Sequence, residues 1–548
     1  MHKKFLPILF IVGLACKQEP KTTIDPWVPY DQSAEIATNA DHESTRMQYK
    51  LIQSRVSDKN DLWDQIGPQI TYFGADDYEA LKPLILDQDI PTLQSHVKSG
   101  KLTYEKLAQW YLFRIVKFEN DSASYLNNIL AINPSAVAEA RKCDANKSDD
   151  DHPLYGMPVL LKDNINFAGL PTTAGTYLLR GNDAADAFIV DRIQDKGGII
   201  LGKTSLSEWA NFLCLGCPNG YNAVGGQTLN PYGRKIFDTG GSSSGSGSAI
   251  AANYAVAAIG TETSGSILSP SSQSSLVGLK PTTGRLSRSG IVPLSSTLDT
   301  PGPMTKSVID NAIFMSALTG EDASDPATVD NPEAPTYWED VQSGTLEGKR
   351  FGVNKQYLED SIYALTVKKI AERGGIMVEF DPAEMDWTGF GELLNADMRI
   401  DLPIYLNQYA PDSITARTVE EIVAYNYEDS TLRIPYGQGR FERILETNLS
   451  EAGIDSLRTN LRAAGQGFFE AAFEPNDLDF VLSINNWNAG HAAAANYPCL
   501  TIPMGYKESG EPIGLTFISR PFEEDHLLKV AYAFEQATQS RKMPVAYQ

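Results

Sequence analysis

The stretch Gly240-Gly241-Ser242-Ser243-Ser244-Gly245-Ser246-Gly247-Ser248 consists only of glycine and serine, and it leads directly into the helix-forming residues 249–257. A flexible linker of this composition would separate two domains, whereas this stretch continues into an apolar segment. Glycines let the backbone turn tightly and aim N–H groups at a negative charge near the start of a helix. The stretch therefore predicts a functional loop.

A second segment, Val159-Leu160-Leu161-Lys162-Asp163-Asn164, places a lysine at the end of an apolar run. The run follows a turn and predicts a buried strand. Burial disfavours the ammonium form and lowers the pKa of a lysine, which suits Lys162 to act as a general base. The alternative is that Lys162 reaches solvent or pairs with Asp163.

A third segment, Gly260-Thr261-Glu262-Thr263-Ser264-Gly265-Ser266-Ile267, again places glycine and serine between two apolar stretches. A turn here would expose Ser266, and the neighbouring N–H groups would form an oxyanion hole. The alternative is a plain turn between two strands.

Helical and strand patterns alternate around these segments. Residues 186–196 predict a helix that Gly197-Gly198 ends, and residues 199–202 predict the next strand. Residues 104–139 show helical periodicity interrupted by Pro134. The remaining predicted elements are strands at 349–353 and 480–483, helices at 361–373 and 527–538, and a helix-rich region at 380–475. This alternation predicts the α/β class.

Together, the three segments resemble the amidase signature family. The resemblance covers residues 104–320, returns near 485–537, and includes the stretches Asp186-Ala187-Phe188, Leu201-Gly202-Lys203-Thr204-Ser205-Leu206-Ser207-Glu208-Trp209, Asn230-Pro231-Tyr232 and Gly278-Leu279-Lys280-Pro281-Thr282-Thr283-Gly284-Arg285. It implies a large mixed β-sheet flanked by helices on both faces. The forms Gly260-Thr261-Glu262-Thr263 and Asp299-Thr300-Pro301-Gly302-Pro303 are most similar to the peptide-amidase branch.

The resemblance also implies the chemistry: an amidase that forms an acyl-enzyme. By this resemblance, Ser266 is the nucleophile, Ser242 relays protons and Lys162 is the base. A cis peptide bond is implied between Gly241 and Ser242. The reaction needs no cofactor and no metal.

The resemblance places further residues around this triad. The N–H groups of Thr263, Ser264, Gly265 and Ser266 would hold the oxyanion. The residues Asp163, Gly241 and Ser243 would support the triad or contact the substrate.

Three positions depart from the family pattern. Ser264 stands where many members have glycine, Leu268 where many have arginine, and Ser271 where alanine is usual. Without that arginine a carboxylate-bearing substrate loses an anchor. We therefore expect a neutral amide or a peptide amide as the substrate, with pocket walls from residues 380–475 and from around Trp209 and residues 485–487.

Other functions are weighed against this one. Gly241-Ser242-Ser243-Ser244-Gly245 matches the G-x-S-x-G pattern of Ser-His-Asp hydrolases, with His491 or His526 as the base, but this leaves Lys162 and Ser266 without a role. A second alternative is a catalytically inactive surface-binding lipoprotein on an amidase scaffold. A third is the amidotransferase subunit that makes glutaminyl-tRNA.

Composition narrows these choices. The chain has 548 residues, of which 42% are hydrophobic and 21% charged, as in globular proteins. The formal net charge of −23 opposes a nucleic-acid partner, since a phosphate backbone requires a basic surface. The same charge also opposes the amidotransferase alternative.

The first residues predict export. Lys3 and Lys4 precede an apolar run, and residues 1–15 resemble a signal peptide. Gly13-Leu14-Ala15-Cys16 resembles a lipobox, which predicts lipidation of Cys16; an ordinary signal peptide is the alternative. We expect a bacterial, membrane-anchored lipoprotein whose only membrane contact is the lipid. Residues 16–50 would form a tether and 51–548 a single amidase domain, with a core at 104–320, a variable helical region at 380–475 and a core return at 480–548.

The C-x-x-C formed by Cys214 and Cys217 has no second ligand pair at zinc spacing. A disulfide, or two buried thiols, is the expected state of these cysteines.

Overall fold

The computed structural model describes residues 19–328 and 336–548. Its strands are β1 (Ile129–Ile132), β2 (Pro158–Lys162), β3 (Ile199–Thr204), β4 (Tyr221–Asn222), β5 (Gly226–Gln227), β6 (Ala257–Glu262), β7 (Val277–Lys280), β8 (Thr300–Thr305), β9 (Arg350–Asn354), β10 (Ile376–Phe380), β11 (Phe480–Ile484), β12 (Cys499–Tyr506) and β13 (Pro512–Ile518). Its helices are α1 (Ser33–Ala37), α2 (Asn60–Ile70), α3 (Ala75–Ile85), α4 (Ile90–Lys98), α5 (Tyr104–Glu119), α6 (Ala136–Asn146), α7 (Phe188–Asp195), α8 (Glu208–Asn211), α9 (Ser244–Ala251), α10 (Leu268–Gln273), α11 (Val308–Leu318), α12 (Tyr337–Asp340), α13 (Ser361–Ala371), α14 (Phe390–Tyr409), α15 (Val419–Glu428), α16 (Ser430–Arg433), α17 (Gly439–Glu446), α18 (Glu451–Asn476), α19 (Ala489–Ala495) and α20 (Glu524–Thr538).

Eleven of these strands form one mixed sheet, in the order β1-β3-β2-β6-β8-β7-β12-β13-β11-β9-β10. The strand β2 pairs in parallel with β3 and β6, whereas β6 pairs antiparallel with β8. The C-terminal strand β12 joins β7 of the predicted core. The predicted α/β fold with a large mixed sheet is therefore confirmed.

Helices cover both faces of the sheet, as β11 shows. Alternate side chains of a strand point to opposite faces. Phe480 and Leu482 share a buried cluster with Leu527 of α20, whereas Val481 shares another with Phe473 of α18. The strand is consequently apolar throughout, as strands buried on both faces are.

The segment between Tyr104 and Pro134 differs from the expectation of helix throughout. Helix α5 ends at Glu119, and residues of the same apolar run form β1 at the edge of the sheet. Ile132 of β1 pairs with Gly202 of β3. Periodicity alone does not distinguish a short apolar strand from a helix. Here the residues of β1 form a strand because the edge of β3 is available for pairing.

The predicted tether over residues 16–50 is also corrected by the structure. Trp27, Met47 and Tyr49 are buried in the main hydrophobic cluster, and the Trp27 ring lies 5.3 Å from that of Tyr125. Residues 19–50 therefore pack against the core, because their few large apolar side chains find a site there. The predicted signal peptide and Cys16 lie outside the described residues. Within the described ranges, no helix has the length and apolar character needed to cross a membrane.

Candidate active site

Lys162, the last residue of β2, is fully buried among oxygen atoms. Its Nζ lies 2.8 Å from Ser242 Oγ, 2.7 Å from Thr261 Oγ1 and 3.1 Å from the carbonyl oxygen of Thr261. The carbonyl only accepts, so it takes one N–H of the amine. The three N–H groups of an ammonium can donate to all three oxygen atoms, whereas the neutral amine would keep its two bonds to Thr261 and turn its lone pair to the Ser242 hydroxyl.

The electrostatic setting favours this neutral form. Burial lowers the pKa of Lys162 from 10.5 to about 7, although the nearby carboxylates of Asp299 and Glu262 act to raise it. Desolvation outweighs the two charges because the ammonium group would lose its hydration completely. Lys162 therefore titrates near neutral pH and can accept a proton there.

The glycine- and serine-rich stretch packs closely at this point. The peptide bond between Gly241 and Ser242 is cis, as the resemblance implies. A Cβ atom on Gly241 would lie 2.7 Å from Ser207 Oγ, and one on Gly245 would lie 2.4 Å from the Ser205 carbonyl oxygen. The glycines thus admit close backbone approach, which only a residue without a side chain allows.

The expectation that this stretch aims its N–H groups at an anion is not met at two positions. The N–H of Ser243 donates to the carbonyl of Ser266 at 3.2 Å, and the N–H of Gly245 donates to that of Ser205 at 3.0 Å. These donors hold the loop against its neighbours. The first of the two bonds brings the loop of Ser242 beside the turn of Ser266.

Of the hydroxyl groups of Ser242 and Ser266, only that of Ser242 is hydrogen-bonded to Lys162. Ser242 Oγ is hydrogen-bonded to Lys162, while in the described part of the chain no hydrogen bond links Ser242 with the Ser266 hydroxyl. Ser266 is partly exposed at the turn that follows β6. Ser243 Oγ donates to the Thr261 carbonyl at 3.1 Å and fastens the loop to β6. The structure thus unites Lys162 with Ser242 and leaves the Ser266 hydroxyl open.

Glu262 shapes the turn that carries Ser266. Its Oε2 accepts the N–H groups of Ile267 at 2.8 Å and Leu268 at 2.9 Å. Burial raises the pKa of Glu262, and these N–H groups together with that of Gly265 counteract the rise. Gly265 has a φ of 102°, in the region that favours glycine, and a Cβ there would lie 3.0 Å from Asn486 Nδ2.

Of the four N–H groups predicted to bind the oxyanion, one is already hydrogen-bonded within the turn and three are free in the described part of the chain. The N–H of Gly265 is directed toward Glu262. The N–H groups of Thr263, Ser264 and Ser266 have no acceptor within residues 19–328 and 336–548, so they are free to bind an oxygen atom. The Thr263 hydroxyl donates to Asp299 Oδ1 at 2.5 Å and fixes one side of the turn.

Asp163 lies apart from the serines. Its carboxylate is 3.1 Å from Lys203 Nζ, and both side chains are buried. Thr173 donates to it through its hydroxyl and its N–H, and Lys203 donates to Thr172 Oγ1 at 2.8 Å. This buried ion pair links the residue after β2 to β3, so the Asp163 carboxylate is paired with Lys203 rather than with Lys162.

The histidines proposed for a Ser-His-Asp hydrolase are elsewhere. The ring of His491 lies between those of Trp387 and Phe468, at centroid distances of 4.7 and 4.1 Å, and burial lowers its pKa to about 4. His526 is exposed on α20. Among the described residues, no histidine is hydrogen-bonded to Ser243, the central serine of the G-x-S-x-G match.

Cys214 and Cys217 form a disulfide, the first of the two expected states. In the two described ranges, no group of three or more histidine, cysteine or acidic side chains is arranged to hold a metal ion.

A cavity of about 190 Å³ opens beside Thr261 and Thr263 of the third segment. Asn164, Thr261 and Thr263 line it on the catalytic side, and residues of α14 line it on the other. The 380–475 region therefore supplies a pocket wall, as the sequence predicts, and Ala210 does so next to Trp209.

Three contributors to the site escaped the sequence argument. Thr261 holds Lys162 with two oxygen atoms, Asn164 donates to Thr261 Oγ1 at 3.0 Å, and Glu262 anchors the turn. All three residues lie within the sequence segments that predict the site. The sequence does not show, however, in which direction each side chain points.

Comparisons with known proteins agree with this geometry. The family model described as Amidase matches residues 112–386. A probable amidase of Arabidopsis thaliana is 34% identical over 84% of this chain and 92% of its own length.

Solved structures extend the similarity to the fold. An amidase family protein from Bacillus anthracis has a TM-score of 0.85 at 34% identity, covering 90% of this chain and 100% of the other. The native peptide amidase from Stenotrophomonas maltophilia has a TM-score of 0.79 at 34% identity, covering 84% of this chain and 98% of the other. The family match, the sequence identity and the shared fold together establish that the chain belongs to the amidase signature family and is an amide-hydrolysing enzyme, with peptide-amidase-like relatives.

Proposed function

We propose that the enzyme hydrolyses a carboxamide to a carboxylic acid and ammonia or an amine through a Ser266 acyl-enzyme, with Ser242 and Lys162 transferring the protons. The observation that carries this proposal is the 2.8 Å contact between Ser242 Oγ and a buried lysine amine. Burial lowers the pKa of that amine to about 7, so a proton acceptor is present at the working pH.

Two proton transfers accompany the attack of Ser266 on the amide carbon. Neutral Lys162 accepts the proton of Ser242, which accepts the proton of Ser266, and Ser266 Oγ bonds to the amide carbon. The resulting oxyanion is held by the free N–H groups of Thr263, Ser264 and Ser266, each of which is worth about 3 kcal/mol in typical oxyanion holes. The C–N bond then breaks, and the nitrogen leaves with the proton that returns through Ser242. Water then attacks the ester carbon and gives a proton to Lys162 through Ser242. The bond to Ser266 Oγ breaks, that oxygen takes the proton back, and the acid leaves.

Peptide amides are the proposed substrates. The Stenotrophomonas relative is a peptide amidase, and its 34% identity extends over 84% of this chain. Leu268, at the position where many family members carry arginine, is buried and offers no charge to a substrate carboxylate.

Kinetics and mass spectrometry test the mechanism together. Ser266→Ala, Ser242→Ala and Lys162→Ala should each lower kcat by at least about a thousandfold while the variants stay folded, because each removes a step of the proton path. Ser361→Ala, at an exposed serine on α13, is the matched control and should leave kcat unchanged. Protein quenched during turnover should carry an acyl group on Ser266. Full activity of the Ser266→Ala variant, or an adduct on another residue, would contradict the mechanism.

We also propose export and lipidation at Cys16. Disulfides persist in oxidising compartments, so the Cys214–Cys217 bond supports a location outside the cytoplasm. Cys16→Ser should move the protein from the membrane fraction to the soluble fraction. Unchanged membrane association of this variant would count against the lipid anchor.

A further inference from the structure

One face of α14 forms a wall of the cavity and carries both apolar and polar side chains. Asp401, Ile404, Tyr405 and Gln408 line it at helical spacing, so they lie on the same side of the helix. The opposite wall is the segment that precedes β8, from Ile291 to Ser296. A substrate group that reaches from the catalytic loops into this cavity therefore meets α14.

Among the charged side chains that line the cavity, the acidic ones outnumber the basic ones. Arg288 pairs with Asp325, at 2.6 Å between Nη2 and Oδ1. Asp299 accepts the Thr263 hydroxyl and the N–H groups of Leu294 and Ser295, at 2.5, 2.7 and 2.8 Å, so it is well supplied with donors.

Asp401 differs from these groups. It accepts the N–H of Ser296 at 2.6 Å and also the Ser296 hydroxyl. The charges of Arg288 and Arg458 act on it from a distance, but within the described residues no cation lies within ion-pair distance of it. Burial, together with the charges of Asp397 and Asp299, raises the pKa of Asp401 to about 6. An ionised carboxylate in such a place gains free energy when a cation approaches it.

A second group in the cavity lacks a partner. Asn164 is 3% exposed, and its Nδ2 donates to Thr261 Oγ1 at 3.0 Å. Its Oδ1 has no hydrogen-bond partner in the described part of the chain. A buried acceptor without a donor costs free energy, which a ligand N–H at this end of the cavity would recover.

We infer that the cavity selects amides that carry a basic group, with the ammonium or guanidinium of the substrate beside Asp401 and an N–H of its amide end on Asn164 Oδ1. This inference rests on the proposed function and adds a specificity to it. Asp401 acts as a specificity-determining residue, and Ile404 and Tyr405 of α14 offer apolar surface to the methylene chain of a lysine-like side chain.

Matched peptide amides test the inference. The lysine amide and the norleucine amide differ only in the terminal amine, so the ratio of their kcat/KM values isolates the contact to Asp401. We expect the wild-type enzyme to prefer the lysine amide by about tenfold or more, as for hydrogen bonds to a charged partner. Asp401→Asn keeps an acceptor for the Ser296 N–H and should bring the ratio close to one. Asp412→Asn, at an exposed aspartate shortly after α14, is the matched control and should leave the ratio unchanged.

Two results would overturn the inference: a wild-type ratio near one, or an Asp401→Asn variant that keeps the preference. Either can occur while all amides are hydrolysed, in which case the proposed function stands and only the specificity fails. If no amide is hydrolysed, the proposed function fails. Calorimetric binding of the two amides to the Ser266→Ala variant, with and without Asp401→Asn, then decides the specificity by the same ratio.

Discussion

Replacing Lys162 with methionine should destroy activity and at the same time stabilise the protein near neutral pH. Methionine has a similar length and carries no charge, so it fills the buried site without a desolvation cost. In the folded chain the pKa of Lys162 is about 7, against 10.5 for an ordinary lysine. At 1.36 kcal/mol for each pH unit, the lysine therefore lowers the free energy of unfolding by about 4 kcal/mol at pH 7.

Part of this gain is lost with the contacts of the amine. Three hydrogen bonds, to Ser242 Oγ and to two oxygen atoms of Thr261, disappear in the variant. At about 1 kcal/mol each they offset about 3 kcal/mol, which leaves Lys162→Met more stable by about 1 kcal/mol at pH 7.

The effect of Lys162 on the free energy of unfolding depends on pH. Between pH 7 and 10.5 the unfolded chain binds more protons at Lys162 than the folded chain does, so the stability of the wild type rises with pH. The destabilising effect is complete below pH 7 and vanishes as the pH approaches 10.5. At pH 9.5 it amounts to about 1 kcal/mol, less than the hydrogen bonds that are lost, so the methionine variant should be the less stable protein there.

Urea unfolding of both proteins at pH 7 and pH 9.5, followed by circular dichroism, measures these differences. Lys142→Met, at an exposed lysine on α6, serves as the control and should show a small difference that does not change with pH. A wild-type-to-variant difference at Lys162 that is the same at both pH values would refute the assignment of a neutral amine to the folded state.

Three further predictions concern the surroundings of the triad. Asp299→Asn removes a charge that raises the pKa of Lys162, so the rise of kcat/KM with pH should move to lower pH; an unmoved profile would contradict this coupling. Ser243→Ala removes the bond to β6, so thermal unfolding should show a loss of about 1–2 kcal/mol with the pH midpoint unchanged, and a shifted midpoint would argue against a purely positioning role. Cys214→Ala combined with Cys217→Ala should leave kcat within about twofold, and a folded but inactive double variant would show that the disulfide is part of the active site.

Local patterns predicted the elements around Lys162 and Ser242 only in part: the helix expected at 249–257 runs from Ser244 to Ala251, and residue 257 begins β6. The apolar run before Lys162 forms a strand that is buried on both faces; its shortness and the turn before it favour a strand over a helix. The run after Ser243 forms α9 because small residues permit close approach to β3 and α10. The positions of the catalytic side chains, by contrast, were implied by the resemblance to a family rather than by periodicity.

The rest depends on contacts between distant parts of the chain. The strand β1 forms because the edge of β3 is available to it, and residues 19–50 pack because the core offers a site for Trp27. The pairing of Asp163 with Lys203 joins two strands, and no local pattern distinguishes it from a pairing with Lys162. The presence of Asp401 in the same cavity as Thr261 and Thr263 follows from the packing of α14, which sequence spacing does not reveal.

The rate at which a fluorophosphonate probe labels Ser266, measured as a function of pH, tests the role of Lys162 most directly. We predict labelling at Ser266, with a rate that rises through a midpoint near pH 7 in the wild type and is strongly reduced in the Lys162→Met variant. A rate that is the same with and without the lysine amine, or labelling that persists in Ser266→Ala, would contradict this prediction.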